Sequence, residues 1–214
     1  SVRDAVTRRQ LGEHYTSEEN ILKTLNPLFL DELRAEFARI LTLKRQTTSL
    51  VKLQQRIGRI RYMDPACGCG NFIIVAYREL RDLELAILER LRDIEISKGT
   101  KTEEEQMLLA NVGLRVTLNH FYGIEIDEWP ARIAETAMFL IHRQCDPKLA
   151  ASLGWAPDRL PIQEQATIIV GNALKLDWST VCSPTADTVV AGNPPFLGDH
   201  ARTADQLADL SAAW

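Results

Sequence analysis

Apolar residues recur at helical spacing between residues 18 and 42: Ile21, Leu22, Leu25, Leu28, Phe29, Leu33, Phe37, Ile40 and Leu41. The pattern predicts a helix, with Pro27 as a break or restart because proline brings no N–H to an interior turn. Thr16 or Ser17 can cap it, with Glu19 or Asn20 in its first turn. Residues 43–49, with Thr47-Thr48-Ser49, read as a connector, and residues 50–57 as a short helix closed by Gly58. The period then changes. Ile60-Arg61-Tyr62-Met63 is a strand pattern running into Asp64. Asn71 opens a long helix whose first half, Phe72 to Tyr77, is apolar nearly all round. Its second half sets Leu80, Leu83, Ile87, Leu91 and Ile94 among many charges, which predicts one end packed on a sheet and one end projecting.

Phe121 to Ile126 is the next strand, followed by a helix over 129–143 with Pro130 in its first turn. Residues 146–164 read as a Pro-rich loop. Thr167 to Gly171 and Asp187 to Ala191 are further strands, and an amphipathic helix covers 202–213. Strands alternating with helices imply an α/β fold with a parallel sheet and helices on both faces. Two regions follow: a helical segment over 1–58 and a sheet-bearing domain over 59–214.

The chain has 214 residues, 45% apolar and 25% charged, ordinary values for a globular domain with a real core. No apolar run approaches the roughly 20 residues that span a bilayer, and the polar start carries no signal peptide. Four cysteines are too few for a disulfide framework at this length, so a reducing cytoplasm is expected. Cys67 and Cys69 can ligate zinc in principle, but no second Cys or His pair has matching spacing, and no metal is expected. Residues 1–61 hold 12 basic and 7 acidic side chains, a net of +5; the remainder holds 13 and 22, a net of −9. The basic arm can touch phosphates or serve simply as solvated helix faces.

Four segments carry candidate chemistry. Asp64-Pro65-Ala66-Cys67-Gly68-Cys69-Gly70-Asn71-Phe72 sits at a strand-to-helix turn, where glycines allow close approach and free helix N–H groups favour an anion. A dinucleotide fingerprint needs a third glycine where Ile73 stands, which counts against a dehydrogenase. Glu125 ends the second strand, where a carboxylate can accept from ribose hydroxyls, and Ile126 beside it can pack on an adenine face. The Asn172 side chain can reach an adenine amino group and the Ala173 N–H a ring nitrogen. In Asn193-Pro194-Pro195-Phe196 the prolines fix the backbone and leave carbonyls free to accept. Asn193 and Pro194 can together accept both protons of an –NH2 group while Phe196 stacks on the ring that carries it.

The order of these segments resembles the S-adenosylmethionine-dependent adenine-N6 DNA methyltransferases, most closely those within fused type II restriction–modification enzymes. Asp64 to Phe72 matches the glycine loop, Gly123 to Asp127 the ribose-binding strand end, Gly171 to Leu174 the adenine-contacting turn, and Asn193 to Phe196 the catalytic tetrapeptide. Asn172 departs from the Asp usual at its position. Upstream, Gly12-Glu13-His14-Tyr15-Thr16 resembles the family's N-terminal motif, whose Thr helps hold the methionine carboxylate.

The resemblance implies S-adenosylmethionine held by Tyr15, Thr16, Asp64, Ala66, Gly68, Gly70, Asn71, Phe72, Glu125, Ile126, Asn172 and Ala173, and catalysis by Asn193, Pro194, Pro195 and Phe196. It implies a Rossmann-like class I methyltransferase sheet of seven strands, of which only about four are expected here. The expected molecule is a portion of a longer protein, inactive by itself, whose partner in the full protein is double-stranded DNA. An interrupted sheet also raises the expectation of self-association. RNA bases and protein glutamine amides are alternative acceptors with the same planar amino group, and an inert cofactor-binding fragment is a third alternative.

Overall fold

The computed structural model describes residues 16–97, 113–153, 164–195 and 202–213. Helix α1 spans Glu18–Leu25, a π-helical turn Asn26–Leu30, and α2 Asp31–Leu41. Pro27 lies in the π turn, where the Asp31 N–H reaches back to the Asn26 carbonyl. The wider turn absorbs the proline without ending the helix. Arg34 secures it, donating to Asn26 Oδ1 at 2.8 Å and to Glu79 at 2.8 Å.

Helix α3 spans Thr47–Ile57, so Thr47 to Ser49 extend the helix rather than connect to it. Gly58 follows with ordinary right-handed torsions. What demands glycine there is Arg115, whose Cβ would lie 2.4 Å from an added Cβ.

Strands β1 (Arg61–Asp64), β2 (Phe121–Glu125), β3 (Thr167–Val170) and β4 (Thr188–Val190) form one sheet in the order β3-β2-β1-β4, every pair parallel. Between them run α4 (Asn71–Ser97), α5 (Glu128–Leu153), α6 (Trp178–Val181) and finally α7 (Ala204–Ala213). Strand order reverses between β1 and β4, and the cleft at the carboxyl ends beside such a reversal is where open α/β sheets bind ligands.

Strand alternation divides the core. Tyr62 and Phe121 face a large cluster with α1 to α5, while Met63 and Ile124 meet Leu176, Val181 and Cys182 on the opposite face. Rings step through the large cluster from Phe29 to Tyr62 (6.4 Å), Phe121 (6.2 Å) and Tyr77 (5.1 Å). The N-terminal helices therefore share one core with the sheet.

Two helical expectations need correction. The second half of α4 does not project: Leu83, Glu84, Ile87, Leu88 and Leu91 are buried. Glu84 is wholly buried and pairs with Arg81 at 2.9 Å, and it also accepts from Gln54 (3.2 Å) and from the Arg115 N–H (2.6 Å). The charges that read as solvent-facing thus clamp the approach to β2. Helix α5 likewise runs past residue 143 to Leu153 with Pro147 inside it. Cys145 and Leu149 are buried, and Lys148 reaches Asp82 of α4 at 3.1 Å, so packing overrides the proline. Of the predicted loop 146–164, residues 154–163 lie outside the described residues.

Candidate active site

The turn after β1 is preorganised by its own hydrogen bonds. Asp64 Oδ1 accepts from the Ala66 N–H at 3.0 Å, Cys67 N–H donates to the Ile124 carbonyl at 2.9 Å, and Gly70 N–H donates to the Cys67 carbonyl at 2.8 Å. Gly68 and Gly70 have φ of 54° and 86°, the left-handed region that favours glycine. Their surroundings differ. A Cβ on Gly70 would stand 3.0 Å from Ala134 Cβ of α5, whereas one on Gly68 would meet nothing within 4 Å among the described residues. Gly70 seats α4 against α5, and Gly68 borders open space.

Asp64 is buried, and that burial, with Glu125 nearby, lifts its carboxyl to about 7. It also abuts β4: a Cβ on Gly192 would lie 2.1 Å from Asp64 Oδ1. The ends of β1 and β4 are in contact one residue before Asn193. Cys67 is buried, with its thiol driven up by desolvation. Its Sγ would lie 2.8 Å from a Cβ on Gly123, so it acts as packing. Among the described residues no three His, Cys, Asp or Glu side chains gather as metal ligands do.

At the end of β2, Glu125 spans two backbone donors. Oε2 accepts from the Gly68 N–H at 2.8 Å and Oε1 from the Asp127 N–H at 3.0 Å. Each oxygen keeps a lone pair for a further donor. Ile126 and Trp129 beside it are 64% and 77% exposed, an apolar surface. After β3, Asn172 Oδ1 accepts from the Leu174 N–H at 3.0 Å, and the Trp178 indole N–H donates to the Ala173 carbonyl at 2.7 Å. After β4, Asn193 Nδ2 donates to Thr16 Oγ1 at 2.9 Å. That bond commits the amide nitrogen and leaves Oδ1 facing elsewhere as an acceptor.

The four predicted segments thus stand at the carboxyl ends of four adjacent parallel strands. Along the edge their order is Asn172, Glu125, Gly68, Asn193. Three strand spacings cover about 14 Å. Acceptors at Asn172 and Glu125, exposed Ile126, open space at Gly68 and the α4 N-terminus fit an extended nucleoside bearing an anionic tail. Phe72 is buried in the core. Asn71 and Ala66 are half-buried, and Pro194 and Pro195 are exposed. Tyr15 and Phe196 lie outside the described residues.

Sequence reasoning missed three contacts of the site: Thr16 with Asn193, Asp64 with Gly192, and α7 with Asn172. None leaves a periodic or local signal, since the first pair is separated by 177 residues.

Residues 40–214 match the protein-family model described as MmeI, DNA-methyltransferase domain. DNA methyltransferase A of Bacillus subtilis (strain 168) is 35% identical over 207 residues, covering 95% of this chain and 22% of that protein. A putative type II restriction enzyme and methyltransferase of Methanocaldococcus jannaschii is 29% identical over 119 residues, 56% of this chain and 9% of that protein. The structure of the type IIL restriction–modification enzyme MmeI in complex with DNA superposes with a TM-score of 0.83 at 37% identity, covering 99% of this chain and 28% of that one. The chain therefore spans under a third of each relative. With a matching family model over most of its length and the same parallel architecture, this chain belongs to the MmeI DNA-methyltransferase domain family.

Proposed function

We propose that the carboxyl edge of the sheet binds S-adenosyl-L-methionine and presents a planar amino group to it, the acceptor being the N6 amine of an adenine flipped out of double-stranded DNA. The observation that carries this reading is the order of groups along the edge: the Asn172 amide, the Glu125 carboxylate, the glycine turn at Gly68, and the Asn193 amide.

In this reading the α4 N-terminus and Thr16 attract the amino-acid carboxylate, Asp64 and Ala66 shape the floor beneath it, and Glu125 receives the ribose hydroxyls. Ile126 packs on the adenine, and Ala173 N–H meets a ring nitrogen. Bound there, the cofactor supplies a methyl group activated by its sulfonium. The protein's part is to make the acceptor nitrogen nucleophilic. An aromatic amine delocalises its lone pair into the ring. Asn193 Oδ1 and the Pro194 carbonyl, by accepting its two protons, favour a pyramidal nitrogen with an available lone pair. Thr16 keeps the Asn193 amide in the accepting orientation, Pro195 stiffens the loop, and Phe196 stacks on the extruded base.

In this reading the N-terminal segment, 1–58, carries Thr16 to Asn193, and 59–214 is the methyltransferase region. The protein acts in the cytoplasm as part of a restriction–modification system, with double-stranded DNA as its partner. This chain alone is expected to be inactive and prone to self-association.

Radiolabelled methyl transfer to DNA, RNA and protein, followed by nucleoside analysis of the full protein, tests the reading. Label in N6-methyladenine of DNA, abolished by Asn193→Ala, is expected. Label in RNA or in glutamine would replace the acceptor, and turnover unchanged by Asn193→Ala would sink the role of the tetrapeptide.

A further inference from the structure

Asn172 poses a problem that the sequence leaves open. A carboxylate at this position can only accept, so it recognises an amino group without ambiguity. A carboxamide can turn over, and it then presents N–H donors to the same place. In one orientation it suits a 6-amino purine, in the other a 6-oxo purine.

The structure removes the ambiguity with a residue from the far end of the chain. Asp209 of α7 places Oδ2 2.8 Å from Asn172 Nδ2. Its Oδ1 pairs with Lys175 Nζ at 2.9 Å, and the carboxylate is only 19% exposed. Asn172 Oδ1 meanwhile accepts from the Leu174 N–H at 3.0 Å. An inverted amide would set its carbonyl against the Asp209 carboxylate and its N–H groups against the Leu174 N–H. Both contacts would become repulsive. The Trp178 indole holds the turn's backbone at Ala173, 2.7 Å away, so the side chain has a fixed platform.

We propose that Asp209 is a positioning residue for cofactor recognition: by holding the Asn172 amide nitrogen, it fixes Oδ1 as the acceptor that selects a 6-amino over a 6-oxo purine. Asp209 and Asn172 together do what a single carboxylate does elsewhere. Lys175 holds the Asp209 carboxylate in place. Helix α7 is thereby part of the cofactor site.

The inference rests on the proposed binding of S-adenosyl compounds at this edge, and one experiment separates the two. Affinity for S-adenosyl-L-homocysteine and for its 6-oxo counterpart, S-inosyl-L-homocysteine, is measured by calorimetry on the full chain. The wild type is expected to prefer the adenosyl compound. Asp209→Ala should reduce that preference about tenfold, the effect of one hydrogen bond to a charged group, chiefly by improving the inosyl compound's affinity. Asp209→Asn should lower the preference as well, because its single amide oxygen cannot serve both Asn172 and Lys175. Adding Asn172→Asp to Asp209→Ala should restore it.

An unchanged preference in Asp209→Ala overturns the role of Asp209 and leaves the binding reading standing. Equal weakening of both compounds also overturns it, since that result describes a merely structural helix. Failure of the wild type to bind either compound overturns the binding reading and the inference with it.

Discussion

The two halves of the strand-end cleft are built differently. Around β1 and β2 the floor grows out of the core: Asp64 is buried, Glu125 holds two backbone N–H groups, and Gly70 is pressed against Ala134. Beyond β4 the site is light. That strand has three residues, Asn193 to Pro195 are exposed, and one hydrogen bond to Thr16 orients the amide. A rigid floor fixes where a ligand lies. An exposed clamp leaves room for a large acceptor to arrive from outside. Substitutions on the floor should therefore report mainly in stability and cofactor affinity, and those at the clamp mainly in turnover.

The largest effect is expected at Glu84, which locks the segment leading into β2. Glu84→Ala leaves Arg81 buried without its partner and should cost about 3–5 kcal/mol in denaturant unfolding. A loss under about 1 kcal/mol would mean that the clamp is incidental. Next comes a pair of glycines differing only in surroundings. Gly70→Ala combines left-handed strain with overpacking on Ala134 and should cost about 2–4 kcal/mol. Gly68→Ala bears the strain alone, about 1–2 kcal/mol, but puts a methyl group into the open cleft and should weaken cofactor binding. Equal stability losses would erase the distinction between a packing glycine and a site glycine.

At the clamp, Thr16→Val should leave unfolding within about 0.5 kcal/mol of wild type while lowering methyl transfer about tenfold, as one orienting hydrogen bond would. A large stability loss with unaltered turnover would move Thr16 from the site to the scaffold.

A dependence on pH should accompany these effects. Asp64 has its carboxyl raised to about 7 by burial, against about 4 in the unfolded chain. The protonated form is thus favoured in the folded state. Its contribution to stability is present below pH 4 and is lost as pH rises towards 7. Cofactor binding should run the other way, because the carboxylate form of Asp64 attracts the cationic sulfonium cofactor proposed for this cleft. Affinity should strengthen about tenfold between pH 6 and pH 8, and Asp64→Asn should flatten that profile.

Much of this was legible from the sequence where the cause is local. The glycine turn, the strand ends and the start of α4 follow from neighbouring residues, and so does the disturbance at Pro27, although its π-helical form does not. The misjudged parts have distant causes. The charges of α4 look solvated until Arg115 and Gln54 arrive to receive Glu84. Pro147 looks like a stop until α4 packs beside it. The Asn172 side chain looks ambiguous until Asp209, 37 residues on, fixes it. Positions of the strand-end segments were readable; what orients their side chains was not.

Calorimetric titration with S-adenosyl-L-methionine tests the central claim most directly, namely that the carboxyl edge of this sheet holds that cofactor in the order Asn172, Glu125, Gly68, Asn193. One site per chain is predicted, weakened at least about tenfold by Glu125→Ala and nearly unchanged by Asn193→Ala. No binding, or an affinity indifferent to Glu125, would contradict it.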